Sequence, residues 1–346
     1  MAKQRVLLLG AHGETGETIL EGLLKDGNFE VSALVQPSSV AKPTVQALAA
    51  RNIPLVVADI KGPQDALVEA ITGFDTIIST IGPASQLAQI PLVDAAAKAG
   101  IKRFVPCAFL TVCPPDGVMT LRSDKEKVYH RIWKHRLPYT IIDVGFWHQL
   151  SVFSVPSGKL NYGLLLDHKE IYGDGNTKSL LTDMRDIGSY VAKIIKDPRT
   201  LNQKVFTWSD ELSQNDVIQM IVQKTGEKPV TKQIPDTEMY AAITRANAAI
   251  EKDASNVQAW ILLTETEYNV SKHIRGDNTA AVAKYLGYLD AKELYPEFEP
   301  IPFEHFLDEL VTGQAKKPYS VTNPDLIKMF HVGEDGLYAL DTNTVV

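Results

Sequence analysis

Close to its N-terminus, the chain runs from a short apolar stretch directly into a glycine-rich turn. Residues 5–9 include a continuous apolar run from Val6, as strands buried on both faces of a parallel sheet do. Glycines at GxxGxxG spacing follow, and residues 17–25 have helical apolar spacing. Glycines let a backbone approach a diphosphate closely, and the next helix presents its N-terminal N–H groups to that ligand. We therefore expect a dinucleotide to contact the turn residues Gly10, His12, Gly13, Glu14, Thr15 and Gly16. A purely structural glycine turn is the alternative.

The alternation of strands and helices continues through residue 144. Apolar runs predict strands at residues 30–35, 55–58, 76–81, 103–106 and 139–144, with helices at residues 64–71 and 87–99. Such alternation is typical of a doubly wound parallel sheet, whose ligand lies beyond the carboxyl ends of the strands. The cofactor contacts predicted at those ends are Gln36, Asp59, Thr80, Ile81, Gly82, Cys107 and Gly145.

The residues after the second predicted strand bear on which dinucleotide binds. An NAD-selective site usually places Asp or Glu about 20 residues after the turn, where it binds the ribose 2′-hydroxyl, but this chain has Gln36. Nothing there repels a 2′-phosphate, and the hydroxyls of Ser38 and Ser39 and the Lys42 ammonium could bind it. This pattern favours NADPH over NADH. Alternatively, Ser38 and Ser39 are only turn residues ahead of Pro43.

Length and composition exclude several classes of protein. At about 150 residues per domain, the 346 residues predict two domains, or one domain with a large lobe. The 42 acidic and 35 basic residues give a net charge of −7, which argues against a broad nucleic-acid-binding surface. The two cysteines, Cys107 and Cys113, belong to no Cys/His cluster at zinc spacing, so we expect no metal.

Hydropathy bears on location. The sequence has no run of about 18 apolar residues that would span a membrane, and its first apolar run is too short for a signal peptide. We expect a cytoplasmic protein, monomeric or homodimeric, that binds a small molecule and neither nucleic acid nor membrane.

Several segments together resemble the isoflavone reductase-like branch of the NmrA-like family, a group of atypical short-chain dehydrogenases/reductases. They include GAHGETG, DTIISTIG, AAKAGIKRFVP, SDKEKVYHRIWKHRLPYTIID and IYGDGNTKSLLTDMRDIGSYVAKIIKDPRTLNQ, and the similarity extends over about residues 4–311. The resemblance implies an NADPH-binding Rossmann-type domain at residues 1–155. A smaller α+β substrate lobe would use mainly residues 156–313, with some segments returning to the first domain. Residues 314–346 extend past the usual family end. The implied activity is reduction of a small aromatic or polyketide-like secondary metabolite.

The same resemblance assigns a catalytic residue. In reductases of this family, a lysine in a D-K-x-K segment is catalytic, and that position falls on Lys125. Ser123 and Glu126 match a capping box, which predicts that a helix starts here with Lys125 in its first turn. The helix dipole and partial burial would both favour release of the ammonium proton, as a general acid–base requires. We also expect Lys125 to contact the cofactor. From the residues alone, a solvated surface lysine is the alternative.

The chain departs from the family pattern after the fifth predicted strand, where it reads FVPCAFL instead of FxPSEFG. The substrate contacts predicted near these strand ends are Phe109, Phe146, Trp147 and His148, because binding pockets are mostly apolar and aromatic. Core packing would explain the aromatic residues equally well.

Two other functions fit the sequence. One is an NmrA-type regulator that senses the dinucleotide without turnover. It would bind oxidised and reduced cofactor as well as a protein partner. The other is a non-redox cyclase or isomerase on the same fold, which would convert its substrate without consuming NADPH.

Overall fold

A computed structural model of the chain describes residues 2–319, and for residues 83 and 84 it describes the backbone only. The strands, in chain order, are β1 (Gln4–Leu9), β2 (Phe29–Val35), β3 (Leu55–Val57), β4 (Thr76–Ser79), β5 (Arg103–Val105), β6 (Thr140–Asp143), β7 (Phe146–Trp147), β8 (Glu170–Tyr172), β9 (Ser179–Thr182), β10 (Gln203–Phe206), β11 (Asp210–Leu212), β12 (Lys232–Ile234) and β13 (Tyr288–Asp290). The helices are α1 (Glu14–Asp26), α2 (Pro43–Ala50), α3 (Gln64–Ile71), α4 (Ile90–Lys98), α5 (Thr120–His135), α6 (Met184–Lys196), α7 (Gln214–Thr225), α8 (Asp236–Lys252), α9 (Val257–Asn269), α10 (Ala280–Tyr285), α11 (Ala291–Leu294) and α12 (Phe303–Val311).

The first compact unit is built on a parallel sheet and comprises the chain up to Gly145, Met184–Trp208 and Ala280–Pro300. Five strands follow the order β3-β2-β1-β4-β5, and every pair is parallel. A parallel bridge between Phe104 and Tyr139 joins β5 to β6, and β10 and β13 continue from β6. The predicted doubly wound parallel sheet is therefore confirmed.

Strand β1 occupies the centre of this sheet because its side chains are apolar on both faces. Val6, Leu7 and Leu8 have no exposed surface, as expected for a strand covered by helices on each side. The chain moves outward from β1 to β3 and then returns to place β4 on the other side of β1. The carboxyl ends of β1 and β4 therefore flank the point where the strand order reverses, which is where open α/β sheets bind ligands.

Helices α1 and α6 pack with backbone against backbone. A Cβ atom on Gly188 would lie 1.8 Å from the Thr18 carbonyl oxygen, and one on Gly22 would lie 2.2 Å from the Gly188 carbonyl carbon. Only glycine at both positions allows this approach. The contact explains how residues 184–208 belong to the first unit although they follow a long excursion of the chain.

The second unit mixes strands and helices. It comprises Phe146–Asp183, Ser209–Thr279 and the described residues from Ile301 onward. One sheet has the order β11-β9-β7, and a separate parallel pair joins β8 and β12. Helix α7 begins with a capping box in which Ser213 and Asp216 bond reciprocally, a common way to satisfy free N–H groups at a helix start. The core includes Val152, Phe153, Leu160, Val217, Ile221, Phe303, Phe306 and Leu310.

The units divide differently from the predicted residue ranges. The first segment of the first unit ends at Gly145, ten residues before the predicted boundary at residue 155. Residues 320–346 of the predicted C-terminal extension lie outside the described residues. Among residues 2–319, no helix is long and apolar enough to cross a membrane. No group of three or more His, Cys, Asp or Glu side chains in that range is arranged to hold a metal ion.

Gly188→Ala should destabilise the protein by about 3 kcal/mol, because overpacking at a backbone contact outweighs the helix propensity gained from alanine. Urea unfolding of the purified variant measures the change. Gly82→Ala is the matched control, since a Cβ atom there meets nothing within 4 Å and the φ of −63° suits alanine. Equal stability of the two variants would contradict the close α1–α6 contact.

Candidate active site

The glycine turn is shaped by close backbone contacts at the carboxyl ends of β1 and β4. Gly10 has a φ of +83°, and a Cβ atom there would lie 2.6 Å from Thr80 Oγ1. The Thr80 hydroxyl donates to the Leu9 carbonyl at 2.8 Å. A Cβ atom on Gly16 would lie 2.0 Å from the Gly10 carbonyl oxygen. The spacing of Gly10 and Gly16 is thus required by the fold of the turn itself, whichever ligand it holds.

Helix α1 begins immediately after this turn and leaves its first N–H groups pointing along the helix axis. Gly13 is the N-cap residue, its N–H donates to the Gly10 carbonyl at 2.9 Å, and no side chain of the described residues caps the helix there. A helix start without a side-chain cap, preceded by glycine, can accept a phosphate. Glu14 and Thr15 form the first positions of α1 and are partly exposed.

The predicted 2′-phosphate residues lie after β2. Gln36 precedes a short 3₁₀ turn at Pro37–Ser39, and Lys42 directly precedes α2. Burial lowers the pKa of His12 in the glycine turn, and the nearby Lys42 ammonium lowers it further. The Lys42 ammonium therefore acts electrostatically on the turn through His12. Asp59 is exposed and its carboxylate accepts the Lys61 N–H at 2.8 Å. In this structure it therefore stabilises the turn that follows β3.

Lys125 is a buried lysine on helix α5. Its side chain is 4% exposed, so the alternative of a solvated surface lysine is wrong. The ammonium donates to the carbonyl oxygens of Cys107 at 2.7 Å and Ala108 at 2.8 Å, and to Gln86 Oε1 at 3.2 Å. Burial lowers the pKa of Lys125, which favours proton release, although Cys107 and, to a smaller extent, Asp143 oppose the shift.

The predicted start of this helix is wrong. Helix α5 begins at Thr120 with Met119 as its N-cap, so Lys125 lies in the second turn and not the first. Ser123 does not act as a cap: its hydroxyl bonds to Asp116 at 3.0 Å and to the Met119 carbonyl at 3.3 Å. Glu126 instead accepts from Arg122 Nε at 2.8 Å. The low pKa of Lys125 therefore comes from burial, and the helix dipole contributes less than the sequence suggested.

Sequence reasoning missed two glutamines, of which Gln86 connects Lys125 with the segment after β4 and Gln89 holds the loop at Cys107. The Gln86 amide donates to the Gly82 carbonyl at 3.1 Å, and its oxygen accepts from Lys125. Gln89 Oε1 accepts the Cys107 N–H at 2.8 Å. Both glutamines are buried. The only feature of the sequence that could have pointed to them is the presence of two glutamines in the mostly apolar segment after Gly82.

Cys107 and Phe109 lie on the loop after β5, beside Lys125. The Cys107 thiol donates to the Ile81 carbonyl at 3.2 Å, and the Lys125 nitrogen is 4.0 Å from its sulfur. Phe109 has a φ of +40°, which is unusual for a residue with a side chain, and its N–H donates to the Ile142 carbonyl at 2.9 Å. Gly145, at the end of β6, has a φ of +65°. Their roles towards cofactor or substrate stay predictions.

A closed ionic network holds helix α5 one turn before Lys125. Arg122 pairs with Asp143 and with Glu126, each at 2.8 Å, and donates to the Tyr288 hydroxyl at 2.7 Å. The Tyr288 hydroxyl in turn donates to Asp143 at 2.6 Å. These four side chains are buried, so each depends on the others for its partners.

The remaining predicted substrate residues belong to the second unit. Phe146 and Trp147 form strand β7. His148 is fully buried, with Nε2 2.8 Å from Ser209 Oγ and 3.4 Å from Asp210, and Nδ1 3.8 Å from Asp183. Burial opposes protonation, but Asp183 and Asp210 overcome it and raise the pKa of His148. In this structure His148 faces those groups and is closed to solvent.

The fold and the glycine turn define a Rossmann-type α/β protein, and comparison with known proteins places it in a family. A model of the NmrA-like family matches residues 2–307. The asnovolin J 5′,6′-dehydrogenase nvfM of Aspergillus novofumigatus is 38% identical over 312 residues, which are 89% of this chain and 95% of that protein. The chain therefore belongs to the NmrA-like family, which confirms the resemblance.

A more distant relative and a solved structure of similar fold each align with 89% of the chain. The phenylcoumaran benzylic ether reductase Betv6 of Betula pendula is 26% identical over 324 residues, which are 89% of this chain and 99% of that protein. The structure of leucoanthocyanidin reductase with NADPH from Vitis vinifera aligns with a TM-score of 0.73 at 23% identity, covering 89% of this chain and 99% of that one.

Arg122→Met should lower the free energy of unfolding by about 3–5 kcal/mol, because it leaves the Asp143 carboxylate buried without its cation. Urea unfolding gives the value. Lys127→Met on the same helix is the control: its ammonium forms a solvent-exposed pair with Asp124, which contributes at most about 1 kcal/mol. The network would be unimportant for stability if both variants unfolded at the same urea concentration.

Proposed function

We propose that this protein is an NADPH-dependent oxidoreductase that acts on a small aromatic or polyketide-like metabolite, with Lys125 as its acid–base residue. The observation that carries the proposal is the buried Lys125 ammonium. It is linked through Gln86 to Gly82, in the unit that holds the glycine turn. A buried amine of lowered pKa, linked through Gln86 to Gly82 after β4, suits proton transfer to a substrate oxygen.

The residues of the turn fit the phosphates of a dinucleotide. The start of α1 has no side-chain cap among the described residues, so its free N–H groups can bind a phosphate. The close contacts at Gly10 and Gly16 keep side chains out of the turn that precedes it. Lys42 supplies a cation for the 2′-phosphate, with Gln36 and Ser38 beside it. Thr80, Ile81 and Gly82 would flank the middle of the cofactor. When bound, NADPH supplies a hydride.

Lys125 would handle the proton that accompanies this hydride. Its three hydrogen bonds are all to oxygen atoms, two of them from the main chain and one from the Gln86 side chain. Two of these acceptors belong to the main chain, whereas Gln86 Oε1 is the only side-chain oxygen among them. A substrate oxygen would therefore replace Gln86 Oε1 and receive the hydrogen bond, so that Lys125 stabilises the charge that this oxygen gains.

The names of the relatives support an enzyme and leave the direction of the redox step to be tested. Betv6 is called a reductase, whereas the more similar nvfM is called a dehydrogenase. Either direction uses the same proton path at Lys125, since an acid in one direction is a base in the other. Assays should accordingly pair NADPH with aromatic enones and carbonyl compounds, and NADP⁺ with their reduced forms.

The sensor and the non-redox enzyme are less favoured by these findings. Both named relatives are redox enzymes, and a sensor has no need of a buried lysine of lowered pKa. We further propose that the protein works in the cytoplasm, as a monomer or homodimer, without nucleic-acid or membrane partners.

Titration of the purified protein with NADPH, NADH, NADP⁺ and NAD⁺ is the first test, and absence of binding to all four would overturn the proposed function.

Lys125→Met should lower turnover by about 10²- to 10⁴-fold, the usual contribution of a general acid–base, and leave NADPH affinity nearly unchanged. NADPH oxidation and NADPH fluorescence titration measure the two quantities. Lys127→Met, two positions along the helix and exposed, should change neither. Full turnover in Lys125→Met would remove Lys125 from the mechanism.

Lys42→Met should weaken NADPH binding about tenfold, the effect of losing one charge-assisted contact to phosphate. NADH has no 2′-phosphate, so its affinity should stay the same. Lys98→Met is the control, since Lys98 ends helix α4 at the opposite end of the parallel sheet. Equal losses for NADPH and NADH would show that Lys42 does not read the 2′-phosphate.

A further inference from the structure

A second buried lysine lies in the second unit, where the regular helix ends. Helix α9 passes into a π-helical turn at Val270–Arg275, a distortion that often marks functional sites. This turn carries Lys272, whose side chain is 4% exposed. Its ammonium nitrogen lies 3.3 Å from the centre of the Phe146 ring and 5.4 Å from that of Tyr268.

Lys272 differs from the other buried cations because, within residues 2–319, no protein group accepts a hydrogen bond from it. Lys125 donates to three oxygen atoms and Arg122 to two carboxylates and a hydroxyl. The Lys272 ammonium instead lies over the Phe146 ring and near the Tyr268 ring, in cation–π geometry. An ammonium taken out of water without an acceptor is costly, and cation–π contact compensates only part of that cost.

The two aromatic rings beside Lys272 are partly accessible to solvent. Phe146 and Tyr268 lie with their centroids 5.8 Å apart and are each only half-buried. Phe146 is also a residue that the sequence placed at the substrate. A ligand that stacked on these rings and carried a negatively charged oxygen would supply the acceptor that Lys272 lacks.

We propose that Lys272, Phe146 and Tyr268 form a ligand-recognition site that selects an aromatic molecule carrying an anionic oxygen, such as a phenolate, enolate or carboxylate. The identification of that molecule with the substrate rests on the proposed function, but binding at this site does not. Lys272 acts here as a specificity-determining residue, and Lys125 keeps the acid–base role.

The charges around Lys272 are compatible with this role at neutral pH. Burial lowers the pKa of Lys272 to about 7, an effect that Glu265 on α9 partly opposes. The two histidines that face it, His168 before β8 and His273 on the same turn, have pKa values lowered mainly by burial and further by Lys272 itself. They are therefore neutral at pH 7, and Lys272 is the group among these that changes charge near that pH.

The test compares two probes that differ only in charge, 2-naphthoate and 2-naphthalenemethanol, by isothermal titration of the full-length protein at pH 6.5. The wild type should bind the carboxylate about tenfold more tightly than the alcohol, the value of one charge-assisted hydrogen bond. Because the ammonium loses its proton as pH rises, this preference should decline between about pH 7 and 9. The measurement needs neither NADPH nor turnover.

Lys272→Met should abolish the preference for 2-naphthoate, leave binding of the alcohol unchanged, and keep or raise the melting temperature, because an apolar isostere replaces a buried charge. Lys272→Gln serves if the methionine variant does not fold. Lys232→Met, an exposed lysine on β12 in the same unit, is the control and should keep the preference.

The outcomes separate this proposal from the proposed function. Equal affinity of the wild type for the two probes, or a preference that survives in both Lys272 variants, would overturn the recognition site. Loss of the preference in Lys272→Met, together with full turnover in Lys125→Met, would support the site and reject the catalytic assignment. A merely structural Lys272 would change the melting temperature without changing the ratio of the two affinities.

Discussion

The approach of backbone to backbone around helix α1 is the contact on which the first unit depends. At the start of the helix, Gly16 lies against the Gly10 carbonyl, and in its middle Gly22 lies against Gly188 of α6. The first contact places the N-terminus of α1 at the ends of β1 and β4. The second brings a distant segment of the chain, residues 184–208, into the same unit. These positions leave no space for a side chain. The glycine turn and the packing of α1 against α6 therefore depend on the same helix.

How far the sequence predicts this structure depends on how local each signal is. Strand β1, the glycine turn and helix α3 were predicted within a few residues, because apolar runs and glycine spacing are read from neighbouring positions. The start of α5 was not. Ser123 and Glu126 match a capping box locally, but Glu126 pairs with Arg122, whose other partners Asp143 and Tyr288 lie far along the chain. Long-range pairing overrode the local motif.

The residues of the candidate site likewise fall into those that the sequence predicts and those that only the structure reveals. Gly10 and Gly16 could be named from spacing, and Lys125 from the family resemblance. Gln86 could not, because its value lies in bonding at once to Gly82 and Lys125, and neither bond leaves a sequence pattern. Lys272 is the least predictable of these residues. In the sequence it lies in an ordinary polar stretch with Ser271, His273 and Arg275. Only the packing of α9 and the π-helical turn buries it against aromatic rings.

Whether a buried charge is structural or functional can be judged from the completeness of its partners. Arg122 is surrounded by acceptors that belong to the protein, so a ligand would have to break an existing network in order to reach it. Lys125 is intermediate in the completeness of its partners, because two of its acceptors are main-chain oxygens and the third is the Gln86 side chain. Lys272 lies against two aromatic rings, and in the described part of the chain no group accepts a hydrogen bond from its ammonium. Because the Rossmann-type fold hosts many substrates, we expect specificity to reside where the protein leaves such a group unsatisfied, and in the second unit that group is Lys272.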